Sequence, residues 1–149
     1  MKSLAQVLCL CSFLMVPGAA LAGPVEEANA TVDRWSAAYT SNDPEAVVKT
    51  YTPDAILLGT VSPIISEGTE GIRKYFSLIK DSGNKNAIGE RRTIVVDDNA
   101  VLVTGFYEFT RLTDGQPVAA PSRFTMLITK RDGEWRIAHH HSSPRVQPK

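Results

Sequence analysis

The spacing of the apolar residues changes once along the chain, and this change constrains the fold more than any other feature. Up to Ile79 most apolar residues recur at steps of three and four, which is typical of amphipathic helices, with one apolar strand at residues 55–61 between them. From Glu90 to Ser143 apolar and polar residues largely alternate, which is typical of β-strands. Helices followed by consecutive strands predict an α+β fold in which the helices cover one face of an antiparallel sheet.

Helix-starting and turn-forming residues indicate where the predicted helices and strands begin and end. Three helices are predicted, the first beginning at Gly23-Pro24, the second over about Pro44–Tyr51 with Asp43 as its N-cap, and the third beginning at Thr69. Turn-forming residues, above all Asp132-Gly133, separate four predicted strands at Glu90–Asp97, Ala100–Thr113, Val118–Arg131 and Glu134–Ser143.

The first 22 residues have the pattern of a signal peptide. Lys2 precedes an apolar run of about 13 residues, Leu4 to Val16, and Ala20-Leu21-Ala22 supplies the small residues that a signal peptidase recognises. The sequence therefore predicts cleavage before Gly23, a single domain over residues 23–149, and a periplasmic or secreted location. An uncleaved N-terminal anchor is the alternative, although the run is short for a membrane span.

Cysteine content and charge limit the function of the mature chain. Cys9 and Cys11 both lie in the predicted signal peptide, so the mature chain has no thiol for a disulfide or a thiolate metal site. Its net charge is near −1 and no block of like charge occurs. Neither nucleic acid nor a membrane surface is therefore expected as a partner after signal cleavage.

Three consecutive histidines, the only ones in the chain, end the last predicted strand. Because side chains alternate along a strand, Trp135, Ile137, His139 and His141 share one face, and that face is the more apolar. We therefore expect His139 and His141 to point inward and His140 to point outward.

The strand Ala100–Thr113 is apolar on both of its faces, as expected for a strand covered from both sides. The helices supply one cover, and the chain contains no further helix for the other. The sequence therefore predicts that a second copy covers the outer face, giving a homodimer or a larger ring.

Four segments carry a resemblance to a known superfamily. They are Trp-Ser-Ala-Ala-Tyr in the first helix and the segments 51–55, 67–72 and 130–142. With the order of elements, they make residues 25–143 resemble the nuclear transport factor 2-like superfamily, in particular SnoaL-like proteins and bacterial relatives of the association (hub) domain of calcium/calmodulin-dependent protein kinase II.

This resemblance implies a cystatin-like cone, in which a curved antiparallel sheet wraps around three N-terminal helices and leaves a cavity at its open end. It does not imply one activity, because the fold hosts isomerases, cyclases, dehydratases, hydrolases and assembly modules. Kinase-type hubs line the cavity with arginines, but Glu108, Met126 and Ser142 occupy the matching positions here. Carboxylate capture in that style is therefore not expected.

The candidate site combines an acid with the histidines. If Glu108 shares a face with Phe106, it could form a general acid/base pair with His139 or His141, because apolar surroundings and mutual contact shift both pKa values. The alternatives are a structural Glu–His pair and a glutamate in water at the sheet edge. The same three residues could ligate a metal ion, but no metal or other cofactor is expected. Tyr51, Phe106 and Met126 are predicted to bind the ligand.

Three functions remain compatible with the sequence. The leading one is an exported domain that binds a small apolar or weakly polar molecule in an internal cavity and assembles as a dimer. The second is a cofactor-independent SnoaL-type enzyme, an isomerase, cyclase or hydrolase using general acid/base chemistry. The third is a purely structural assembly module.

Overall fold

The computed structural model describes residues 22–146, which fold into three α-helices, one turn of 3₁₀ helix and six strands. The helices are α1 (Pro24–Thr40), α2 (Pro44–Val48) and α3 (Gly68–Phe76), and the 3₁₀ turn spans Ser77–Ile79. The strands are β1 (Tyr51–Leu58), β2 (Ser66–Glu67), β3 (Lys85–Asp97), β4 (Ala100–Thr113), β5 (Gln116–Arg131) and β6 (Glu134–Pro144). Residues 1–21 of the predicted signal peptide lie outside the described residues, so its cleavage stays a prediction.

All six strands belong to one curved sheet in the order β2-β1-β6-β5-β4-β3, and the sheet is not closed into a barrel. Neighbouring strands are antiparallel except β1 and β6, which run parallel. Two of the hairpins turn at Asp114-Gly115 and Asp132-Gly133, whose positive φ angles are those of a tight two-residue turn. The predicted α+β class with helices against one face of a curved sheet is confirmed.

The helices form where the sequence supplies their starting residues. Pro24 occupies the first turn of α1, and the Asp43 side chain accepts a hydrogen bond from the Glu45 backbone N–H at 2.9 Å to cap α2. The core lies between the apolar stripes of the helices and the inner face of the sheet, and its most buried large side chains are Trp35, Leu57, Ile72, Met126, Ile128 and Ile137. Within residues 22–146, none of the helices has the length and hydropathy needed to cross a bilayer.

Some element boundaries differ from the predictions. The helix α2 ends at Val48, and β1 already begins at Tyr51 because Thr52-Pro53-Asp54 forms an irregularity inside the strand. There β1 advances five residues, from Tyr51 to Ile56, while β6 advances two. Such an irregularity accommodates Pro53, which cannot donate a hydrogen bond to the ladder. The strand β3 also begins earlier than predicted, at Lys85.

Candidate functional site

A β-bulge in β6 decides which histidine reaches the interior. Leu127 of β5 pairs with His139 and the next residue, Ile128, pairs with Ile137, so Ala138 is an extra residue without a partner. Trp135 and Ile137 face the core as predicted, but the extra residue reverses the alternation beyond it. His140 is consequently 1% exposed inside the fold, whereas His141 is exposed on the outer face. The prediction that His139 and His141 point inward and His140 outward is therefore wrong.

The buried imidazole of His140 is the centre of a chain of hydrogen bonds. Its Nδ1 atom lies 2.7 Å from the Tyr51 hydroxyl, which in turn lies 3.0 Å from the Trp35 Nε1 atom. Its Nε2 atom lies 3.3 Å from the Tyr107 hydroxyl. The chain continues from Tyr107 to the Ser142 hydroxyl.

Beyond Ser142 the chain reaches the Thr60 hydroxyl, in the loop after β1. The chain thereby ties five segments together across the interior: α1, β1, the loop after β1, β4 and the part of β6 beyond the bulge. Each hydrogen bond inside this apolar surrounding is costly to break, because water cannot replace the lost partner.

The direction of these hydrogen bonds follows from the indole. Since the Trp35 indole N–H can only donate, the Tyr51 oxygen accepts from it, and the Tyr51 O–H has Nδ1 of His140 as its acceptor. The imidazole is then the tautomer with its hydrogen on Nε2, which it donates to the Tyr107 oxygen. Tyr107 donates in turn to Ser142. Both imidazole nitrogens are therefore occupied by protein groups.

Burial sets the charge of this network. It lowers the pKa of His140 to about 3, with small further effects from the neighbouring His139 and His141. Burial also raises the pKa values of Tyr51 and Tyr107 above their ordinary value. The imidazole and both phenols are consequently neutral at physiological pH.

An internal cavity of about 200 Å³ opens beside this network. Its buried end is formed by aromatic rings together with His140 and Ser142, and its rim is more exposed. The residues that line it are Trp35, Tyr39, Leu57, Gly59, Thr60, Val61, Tyr75, Phe76, Leu78, Ile79, Asn84, Tyr107, Phe109, Arg111, His140 and Ser142. Four surface depressions are larger: those of about 720, 510 and 240 Å³ are rimmed by charged side chains, and that of about 270 Å³ is an open groove along the loop after β1. The small cavity is therefore the enclosed space best suited to an organic ligand.

The structure does not bring the predicted catalytic residues together. Glu108 is exposed on the outer face, where it pairs with Pro121 of β5, whereas His141 pairs with Thr125 and His139 with Leu127. Four and six residues along β5 correspond to separations of about 13 and 20 Å, which exclude a shared proton or a shared metal ion. Among residues 22–146, no three His, Cys, Asp or Glu side chains are grouped to hold a metal ion. Burial lowers the pKa of the half-buried His139, and the neighbouring His141 adds to that effect.

The predicted ligand-binding residues do not line the cavity either. Phe106 lies on the outer face, with the Arg145 guanidinium carbon 4.0 Å from its ring centroid. Tyr51 and Met126 are buried on the inner side, but they are absent from the cavity wall and act behind it. Tyr51 holds His140 in place, and Met126 is its neighbour across the β5–β6 pair.

Part of the cavity wall could have been predicted from the sequence. Tyr107 and Phe109 share one face of β4, and strand alternation places Arg111 on that same face. The bulge at Ala138, which brings His140 and Ser142 to the cavity, has no comparable signature in the local sequence.

These features define the class of fold: a cystatin-like fold, which solved structures of nuclear transport factor 2-like proteins share, with an interior cavity between helices and sheet. Residues 28–147 match the SnoaL-like domain family, and the chain belongs to that family. None of the curated proteins matches it significantly.

Solved structures support this assignment. A protein from Xanthomonas campestris, assigned as a calcium/calmodulin dependent protein kinase II association domain, is 32% identical with a TM-score of 0.77, covering 91% of this chain and 100% of its own. A ketosteroid isomerase-like protein from Erwinia carotovora atroseptica is 20% identical with a TM-score of 0.68, covering 81% and 95%. A protein from Novosphingobium aromaticivorans assigned as a scytalone dehydratase is 12% identical with a TM-score of 0.74, covering 82% and 84%. The last two show the fold alone.

Proposed function

We propose that the protein binds a small organic molecule in the 200 Å³ cavity and does not transform it by general acid/base catalysis. The observation that carries this proposal is the composition of the cavity wall. Aromatic and aliphatic side chains form most of it, and a few hydroxyl and amide groups are placed where they can orient a ligand.

The alternative of a SnoaL-type enzyme has less support. The cavity wall contains no Asp or Glu, and its single histidine, His140, is neutral with both nitrogens engaged. A general base near neutral pH needs a free lone pair and a pKa close to the working pH, and His140 has neither. Glu108, the predicted base, lies on the other side of the sheet. The relatives assigned as isomerase-like and dehydratase proteins therefore support a ligand cavity here more than a shared reaction.

The size of the cavity limits the ligand. An engineered protein cavity of about 150 Å³ accommodates benzene, so about 200 Å³ suits one ring with a small substituent. The rings of Trp35, Phe76, Tyr107 and Phe109 offer faces and edges for contact with an aromatic ligand.

Blocking the rim of the cavity is expected to abolish binding. Val61 lines the cavity but is 57% exposed, so Val61→Trp can place an indole across the opening without disturbing the core. We expect phenol and benzamide to shift the amide resonances of cavity residues in the wild type. In the variant, affinity should fall by at least about tenfold, as measured by NMR titration.

Ile64→Trp is the matched control, because Ile64 lies in the same loop, is 65% exposed and does not line the cavity. This control should bind as the wild type does. If no small ring compound, neutral or anionic, perturbs the cavity residues of the wild type, the proposed function is contradicted.

A second function, self-assembly, is favoured by the outer face of the sheet. Adjacent strands align Ile56, His139, Leu127, Leu102 and Ile94 in one row across β1, β6, β5, β4 and β3. Ile56 and Ile94 are exposed, so this outer row offers apolar surface to a partner. The relative assigned as an association domain is named for assembly. We propose that two copies pack through the outer row as a homodimer.

A charge in the middle of the outer row is expected to prevent this assembly. Leu127 is half-buried at its centre, so Leu127→Glu would bury a charged carboxylate in the proposed interface. The mass measured by light scattering after gel filtration should fall to half that of the wild type. Ile64→Glu, which adds the same charge away from the sheet, should keep the wild-type mass. A wild-type protein that is monomeric would contradict the proposed dimer.

The proposed location follows from the N-terminal sequence. The signal-peptide pattern of residues 1–22 supports a role in the periplasm or outside the cell. A binding domain of this kind would meet its ligand there.

A further inference from the structure

A single charged side chain, Arg111, lies in the wall of the cavity. It follows Tyr107 and Phe109 on the inner face of β4, and its guanidinium carbon lies 6.0 Å from the centroid of the Phe109 ring. The side chain is half-buried, whereas the neighbouring Leu112 is exposed. The positive charge is therefore held at the rim, between the aromatic interior and solvent.

Arg111 has no carboxylate partner within residues 22–146, unlike many other arginines of the chain. The arginines with such a partner are Arg73, Arg91, Arg92, Arg131 and Arg136. The cavity wall also contains no Asp or Glu. Because His140 is neutral, the guanidinium of Arg111 alone gives the cavity wall its formal positive charge.

Neutral hydrogen-bonding groups accompany the guanidinium in the cavity wall. They are the hydroxyls of Tyr39 and Tyr75 and the side-chain amide of Asn84. Burial raises the pKa values of both tyrosines, and the positive charge of Arg111 partly offsets this effect. Both phenols therefore remain neutral donors at physiological pH, and phenol and amide groups together with a guanidinium suit an anion.

We infer that the ligand of this cavity is a small organic carboxylate, held at the rim by Arg111 with its apolar body among the inner rings. This inference rests on the proposed binding function and specifies its ligand class. The planar guanidinium matches a carboxylate with two parallel hydrogen bonds, whereas the aromatic interior favours an organic body over a fully hydrated inorganic anion. In the sequence resemblance to hub domains, the hub arginines match Glu108, Met126 and Ser142 of this chain. Arg111 is therefore at none of the positions of the hub arginines.

Benzoate and benzamide test the inference, because they share a ring and differ in the charge of the substituent. We expect calorimetry or NMR titration at low salt to show that benzoate binds the wild type at least about tenfold more tightly than benzamide. Arg111→Gln should remove this preference by weakening benzoate about tenfold or more while changing benzamide by less than about threefold. Added salt should weaken benzoate and leave benzamide nearly unchanged.

Two further variants complete the design. Arg111→Lys retains the charge without the planar pair of donors and should recover part of the benzoate affinity. Arg92→Gln removes an exposed arginine that is not part of the cavity wall, and it should bind both compounds as the wild type does. Unchanged far-ultraviolet circular dichroism and unfolding temperature would show that each variant is folded.

The possible outcomes separate the two proposals. Equal binding of benzoate and benzamide, or a benzoate affinity that Arg111→Gln leaves unchanged, would overturn the carboxylate inference while the binding function stands. Failure of both compounds to bind the wild type would overturn both. A preference for benzoate that depends on Arg111 would support both.

Discussion

Acidification from pH 7 to pH 4 is expected to cost the folded protein about 3 kcal/mol through His140 alone. In the unfolded chain this imidazole takes up a proton near pH 6.5, whereas burial lowers its pKa to about 3 in the fold. Between these values the unfolded state binds more protons, so the free energy of unfolding falls as the pH falls. The contribution of His140 is fully present above about pH 6.5 and is lost progressively towards pH 3.

His140→Gln isolates this effect, because a glutamine amide can still accept from Tyr51 and donate to Tyr107 but does not titrate. Urea unfolding at pH 7, 6, 5 and 4, at one protein concentration, measures the free energy of unfolding. The wild type should lose about 1.4 kcal/mol more per pH unit than the variant below pH 6.

The exposed neighbour supplies the control for this experiment. His141→Gln removes a histidine from the outer face, and its pH dependence should follow that of the wild type. Parallel loss of stability in the wild type and His140→Gln would show that the buried imidazole does not carry the acid sensitivity.

Trp35→Ala is expected to be the most destabilising single substitution in the core, at about 3–5 kcal/mol. The indole of Trp35 is 1% exposed and packs among Tyr39, Phe76, Tyr107, Phe109 and His140, with ring centroids 5.1–6.5 Å away. Its removal leaves a cavity and also deprives the Tyr51 hydroxyl of a donor. Because domains of this size are stable by roughly 5–15 kcal/mol, such a loss is a large part of the total.

Chemical unfolding followed by the remaining fluorophore, Trp135, measures this effect. Trp35→Phe separates the two contributions, because it keeps an aromatic ring but removes the N–H; it should lose about 1–2 kcal/mol. A loss below about 1 kcal/mol in Trp35→Ala would contradict the central role of this ring.

Much of the fold was predictable because it depends on local patterns. Strand alternation and the Asp-Gly turns located β4, β5 and β6, and the starting residues Pro24 and Asp43 located α1 and α2. The boundaries of β1 were predicted less well, because Pro53 and Asp54 have the composition of a helix stop but lie inside a strand. That segment belongs to a strand because β1 pairs with β6, and this pairing joins residues that are far apart in the sequence.

The candidate site was predicted poorly because one extra residue in β6 reverses which side chains face inward and which face outward. Alternation assigned the correct face to Trp135 and Ile137, but the bulge at Ala138 reversed it for the three histidines. Glu108 did share a face with His139 and His141, as its sequence position indicated, yet that face is the outer one. A bulge depends on the register between two strands, so the sequence of β6 alone does not reveal it.

The position of β6 has a consequence for biogenesis. The strand β6 is synthesised after the other five strands but lies between β1 and β5 in the sheet. Until it is synthesised, no strand joins β1 and β2 to the β3–β5 meander. The nascent polypeptide therefore closes its sheet only after β6 has been synthesised, and closure over so long a sequence separation is slow. For the export that we propose from the N-terminal sequence, such a delay would preserve the extended state that a translocation channel requires.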